Sequence, residues 1–276
     1  MNNPFYLFRL RHFFVAAGIV FLTAAGRANV QQLTDGKNAS YDERHRASYQ
    51  IGGQLQADEI EALLKFLVRL PAEDSARDDE LSTLKNNAAD ALLQQKTPPS
   101  RLLVVFKTAF GDLKQGEVWR EYVVQKLPEL CGRLEGAPRR ECLQFLRERL
   151  HDTDYIFAGT ALIGLDRLHS SHPNLVEGGE VGRAAVALLE STQQADACKI
   201  SALQILAHYD APAALSRARG YLHAETPVML KVSALAALGL VGQAEDLPIV
   251  ERYAGSPELR LRTAARAALK QLKARA

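Results

Sequence analysis

With 276 residues, 47% of them apolar and 24% charged, the chain holds enough apolar material for one or two packed domains, and such ordinary fractions exclude wholesale disorder. Its 34 Lys and Arg against 32 Asp and Glu leave a net charge of +2, which singles out no class of partner. Three cysteines leave one over after any pairing.

The N-terminus is the first informative stretch. Arg9, Arg11 and His12 precede the apolar run Phe13–Ala25, in which only Thr23 is polar, and the small residues Gly26 and Ala28 flank Arg27. Charged, then apolar, then small-x-small is the layout of an export signal, here residues 1–28 with cleavage after Ala28. An uncleaved inner-membrane anchor is the alternative, although Arg9 to His12 interrupt the run of about 20 apolar residues that a spanning helix needs. Either way the remainder is expected in the periplasm or outside the cell, where disulfides persist.

Residues 29–56 are polar and aperiodic, with Asp35-Gly36 and Gly52-Gly53 as breakers, and are expected to form a partly ordered linker. Helical spacing begins at residue 57. Asp58 and Glu61 resemble a capping pair before the stripe Ile60, Leu63, Leu64, Leu67 and Val68, and a second stripe from Leu81 to Leu92 stops at Pro98-Pro99. Ser100 is the expected cap of the next helix, the only Trp, Trp119, falls on an apolar stripe, and Pro128 is expected to kink or restart its helix. Residues 57–151 thus read as irregular helical repeats. Cys131 and Cys142 flank the turn Glu135-Gly-Ala-Pro138, so antiparallel helices on either side can bring them together as a disulfide; two separate buried thiols are the alternative.

Residues 152–276 are more regular. Three octets, Lys199–Leu206, Lys231–Leu238 and Arg262–Leu269, start 32 and then 31 residues apart, each opening on a base and closing on Leu. Self-similarity at this period marks stacked helical hairpins, in which neighbours bury the apolar face that one unit cannot bury alone. A related stretch at Thr160–Leu165 precedes the first octet's Ser201–Leu206 by 41 residues, so an insertion near residues 169–179 interrupts the array. That insertion holds His169-x-x-His172 with Asp166 just before it. On a helix this spacing suits a metal, but Pro173 favours a loop and no further ligand completes a set.

Thr226-Pro227-Val228 with Lys231-x-x-Ala234-Leu235-x-Ala237-Leu238-Gly239, and Pro257-Glu-Leu-Arg260 with Ala264, Ala265 and Leu269, resemble the HEAT-repeat superfamily, particularly its short bacterial units. The resemblance is clear over 195–276, extends back to about Asp152 and is weak before that. It implies an all-α fold, an α-solenoid of stacked antiparallel helix pairs. Some similar repeats occur in bilin-attaching lyases, which work inside the cell, so an export signal argues against that activity.

No phosphate loop, nucleophile elbow or His-Glu-x-x-His run is present. No catalytic residue, metal or cofactor is therefore expected. The function this suggests is a non-enzymatic exported scaffold that binds protein partners in the bacterial envelope through a concave surface lined by the second helix of each pair. The candidate partner-binding positions there are Arg183, Arg217, Glu251 and Arg252, polar residues that the apolar stripe leaves free. Two alternatives stand beside it: an envelope structural protein contacting anionic membrane through its N-terminal segment or its basic last helix, and a lyase-like enzyme of the same repeat group. Export makes nucleic acid an unexpected partner.

Overall fold

The computed structural model describes residues 22–153 and 156–275. The charged part and most of the apolar part of the expected export signal lie outside the described residues. Among the described residues there are fourteen α-helices and no strand. They are α1 (Leu22–Thr34), α2 (Tyr41–Gln50), α3 (Ala57–Leu67), α4 (Asp78–Leu93), α5 (Leu102–Gly111), α6 (Glu117–Arg133), α7 (Gly136–Glu148), α8 (Phe157–Ser171), α9 (Gly178–Glu190), α10 (Asp196–Tyr209), α11 (Ala211–Gly220), α12 (Val228–Val241), α13 (Leu247–Ala254) and α14 (Leu259–Lys273).

The even-numbered helices from α2 to α14 pack side by side in one layer, and the odd-numbered helices from α3 to α13 back them. Contacts run only between near neighbours in sequence, which makes the fold an α-solenoid of stacked antiparallel helix pairs, HEAT-like in its organisation. The even layer is packed far more closely than the odd, whose members beyond α7 hardly touch one another. Small residues permit this. A Cβ on Gly159 of α8 would lie 3.0 Å from the Cα of Cys198 on α10, and one on Gly239 of α12 would lie 3.1 Å from the Cα of Ala268 on α14.

The first half departs from expectation in several places. Where residues 29–56 are expected to form a linker, the end of α1 and the whole of α2 stand, and Val30, Leu33 and Ala47 are buried in the core. Their polarity is deceptive because one charge faces inward. Arg44 is fully buried, donates from Nε to the Leu33 carbonyl at 2.9 Å, and grips Asp74 with both terminal nitrogens. Arg69 donates to Asp74 at 3.0 Å and to the Thr34 carbonyl at 2.7 Å. Burial alone would raise the Asp74 carboxyl, but Arg44, the Ala76 N–H and Arg69 together hold it below the usual carboxylate range.

A second set of bonds closes the C-terminal end of α3, whose last carbonyls have no partner within the helix. Trp119 Nε1 donates to Leu67 O at 3.1 Å, Gln115 Nε2 to Val68 O at 2.9 Å, and Lys85 Nζ to Arg69 O and Gln115 Oε1 at 2.5 and 2.6 Å. Trp119 is buried, as its stripe suggests, and it also caps a neighbour.

Three local expectations are corrected. The capping pair before α3 is Gln56 with Glu59, whose carboxylate accepts from the Gln56 N–H at 2.6 Å, two residues upstream of Asp58 and Glu61. Ser100 does not cap α5, which has no side-chain cap. Pro128 does not restart α6, which runs unbroken through it. Its ring is accepted because α8 presents Gly164, where a Cβ would come within 2.9 Å of Pro128 Cγ.

Cys131 near the end of α6 and Cys142 in α7 face one another as a disulfide with their Cα atoms 5.6 Å apart. Cys198 is a buried free thiol, pushed up by burial.

Candidate functional site

Large apolar side chains left in water are more telling than polar ones, because a chain places them there only against a cost. On α12, Met229 and Leu240 are each 45% exposed. The helix Val228–Val241 is apolar almost all round, with Lys231 as its only charge. A helix of that character is ordinarily buried on every side. Here α10 and α14 cover two flanks, α11 lies behind, and the remaining face is open.

The open face is the floor of a groove of ≈ 350 Å³ between α10, α12 and α14. Met229, Val232, Ala236 and Leu240 recur along α12 at spacings of three and four, one side of a helix. Ile200, Gln204 and His208 form one wall from α10, and Ala264, Ala267, Ala268 and Gln271 form the other from α14. The alanines explain the groove: they hold α14 close to α12 while leaving no side chain to fill the space between them. From Met229 to Leu240 the floor is about 16 Å long at the rise of an α-helix. Covering the two half-exposed side chains would contribute about 1 kcal/mol each.

A second depression of ≈ 230 Å³ lies further along the same layer, between α6, α8 and α10. Glu121, Gln125, Thr160 and Arg167 line it beside Ile156, Ile163 and Ala197, and Glu121 already accepts from Gln125 at 2.9 Å and from Thr160 at 3.4 Å.

The residues singled out by sequence do not gather. Arg183 on α9, Arg217 on α11, and Glu251 and Arg252 on α13 all sit on the odd layer, spread over three helices, and not beside the groove. Arg217 pairs with Glu190 and Glu251 with Lys273 at 3.3 Å, while Arg183 and Arg252 are exposed.

The His169-x-x-His172 pair is divided between two jobs. α8 extends through the first histidine to Ser171, and His169 Nδ1 meets the Val176 carbonyl at 2.9 Å, so that nitrogen carries the proton. His172, just past the helix, instead lies 2.9 Å from Ser171 Oγ and packs beside Gly132 of α6. Tyr209 donates to Asp166 at 2.6 Å, stands edge-on to His169, and is pushed up by burial and by that carboxylate. These contacts fasten the 169–179 insertion to α10. Among the described residues no three His, Cys, Asp or Glu converge as metal ligands.

No protein-family model and no curated protein matches the chain. Among solved structures, human deoxyhypusine hydroxylase in complex with glycerol is similar over 92% of this chain and 97% of that one, at 18% identity and a TM-score of 0.40. The expectation of a non-enzymatic envelope scaffold, with its alternative of an envelope structural protein, is corrected by this finding. That structural neighbour is an enzyme. At that similarity the likeness passes no substrate, residue or activity to this chain.

Proposed function

We infer that the chain is a polypeptide-binding HEAT-like solenoid of the short bacterial repeat type, and that the groove between α10, α12 and α14 receives an apolar helical segment of a protein partner. The observation that carries this is the line of exposed or half-exposed apolar residues on α12 above a wall of alanines. A ridge of side chains on a third helix fits such a groove in the way helices pack generally. The 16 Å floor suits about three turns.

A photoreactive side chain at Leu240 tests this. It is expected to give a discrete polypeptide adduct in native extract, lost when Ala267 is replaced by Arg to fill the groove. An adduct no stronger than that from the same probe at exposed Ser216 on α11, or one indifferent to Ala267→Arg, would refute it.

The location we propose is outside the cytoplasm, reached through the N-terminal signal. The Cys131–Cys142 disulfide and the order of charged and apolar residues before Gly26 support it. One observation favours retention as a membrane anchor over cleavage: α1 runs without a break across Ala28, and removal there would leave only Asn29 to Thr34 of the helix to hold Val30 and Leu33 in the core. N-terminal sequencing of the protein from its native cell decides. A first residue of Asn29 supports the cleaved form, and a chain beginning at Met1 in the cytosolic fraction sinks both.

A further inference from the structure

Given the groove reading, on which this rests, the charges around it define the partner further. Twelve residues line the groove and none carries a carboxylate. On α14, Arg260, Ala264, Ala267 and Gln271 fall on one helical stripe, at spacings of four, three and four, so Arg260 continues the groove wall beyond its alanines. Its guanidinium reaches Met229 Sδ at 3.6 Å, at the end of the groove where α12 and α14 begin. The side chain is exposed, and among the described residues no carboxylate pairs with it, since nearby Glu258 accepts instead from the Arg260 backbone N–H at 3.2 Å.

The other bases of this helix are differently placed. Arg262 donates to the Ser256 carbonyl at 2.7 Å, Lys273 pairs with Glu251, and Arg275 just beyond the helix caps the carbonyls of Gly239 and Gly242. Arg266 and Lys270 are exposed, and neither falls on the stripe of Arg260, Ala264, Ala267 and Gln271. Arg260 is therefore the one cation of α14 that joins the groove stripe, and its guanidinium has no carboxylate partner among the described residues. The aligned N-termini of α12 and α14 add potential of the same sign at that end.

We propose that the partner segment is an amphipathic helix with an apolar face and at least one carboxylate within a turn of the residue that covers Met229, where Arg260 meets it. The polarity fixes how the occupant lies: its acidic end is at the Met229 end of the groove and its uncharged or basic end is beside Leu240 and His208. An anionic membrane is the poorer fit. A helix that lies in a bilayer surface inserts bulky apolar side chains, whereas α14 offers Ala264 and Ala267 beside the groove.

Three synthetic helical peptides of about twenty residues, with one leucine- and alanine-rich face and flanks carrying only Glu, only Gln or only Lys, separate the possibilities by fluorescence anisotropy. For the unaltered chain the expected order of affinity is Glu, Gln, Lys, with about fivefold between first and last, the scale of an exposed ion pair and its like-charge counterpart. Arg260→Gln should remove the order and Arg260→Glu reverse it, with circular dichroism unchanged because the side chain is exposed. If all three peptides bind equally and Arg260→Glu changes nothing, the groove reading stands and the acidic partner is overturned. If none binds and Ala267→Arg behaves as the unaltered chain does, the groove reading has failed first. Binding to phosphatidylglycerol vesicles that Arg260→Glu abolishes, without peptide binding, overturns the proposal in favour of lipid.

Discussion

The two halves of the solenoid are held together by different means. From α1 to α7 the helices are joined through individual polar contacts: buried Arg44 on Asp74, Lys85 and Gln115 on the end of α3, and Trp119 reaching 52 residues back in sequence to Leu67. From α8 to α14 closeness carries more of the joining, with Gly and Ala where backbones meet and Leu between them, beside bonds such as Tyr209 on Asp166 and Arg219 on Asp246. The second method can be repeated from unit to unit, because any Ala or Leu serves as well as another. The first cannot, because each donor answers one particular carbonyl. A stack built by closeness keeps its period in the sequence, and one built by particular bonds loses it.

Removing Asp74 is the harshest way to break the comparison. Asp74→Ala leaves Arg44 charged and buried with only the Leu33 carbonyl, and should cost about 3–5 kcal/mol. In urea denaturation the loss is expected in the first half alone, as an early transition separated from an unshifted later one. A single transition that shifts whole would mean that the two halves are one cooperative unit.

A smaller effect comes from Lys85. Its ammonium is held at about 7, below its usual 10.5, chiefly because burial strips its water. Between those two values the unfolded chain binds more protons than the folded one, so stability should rise as pH increases from about 7 toward 10. Below 7 both states are protonated and the penalty is constant. The Tyr41 hydroxyl, raised by partial burial and by the charge of Glu80, works oppositely near pH 10 and bounds the window. The midpoint of the first-half transition should therefore climb between pH 7 and 9.5, and Lys85→Met should flatten that climb while leaving the second half as it was. An equal climb in the variant would assign the effect to other groups.

The same contrast explains what was legible beforehand. The period of the octets, the antiparallel pairs and the hairpin around Glu135–Pro138 follow from local spacing, and each is found where spacing places it. Residues 41–50, Tyr-Asp-Glu-Arg-His-Arg-Ala-Ser-Tyr-Gln, read as solvated because nothing local says that Arg44 turns inward to an aspartate 30 residues on. Pro128 reads as a break because the glycine that makes room for it lies on another helix.

The groove is hidden for a different reason. Polar residues on the second helix of each pair are the expected contacts, whereas the exposed surface that stands out is apolar and on the first. Its signal was present: α12 is too apolar all round for a helix with an open face, a pattern visible in Val-Met-Leu-Lys-Val-Ser-Ala-Leu-Ala-Ala-Leu-Gly-Leu-Val. Arg260 carried no comparable mark, since it is one of several bases on α14 and only the fold shows which of them the others leave unpaired.

The disulfide between α6 and α7 has a mechanical consequence. A stack whose units touch only their neighbours can be peeled from either end one hairpin at a time, much as a roll of tape unwinds. Cys131 and Cys142 tie off the α6–α7 hairpin near the middle of the chain. Under tension a tear starting at one end would run into a loop that cannot be drawn out while the bond is intact, so the tie acts as a rip-stop between the bonded half and the close-packed half.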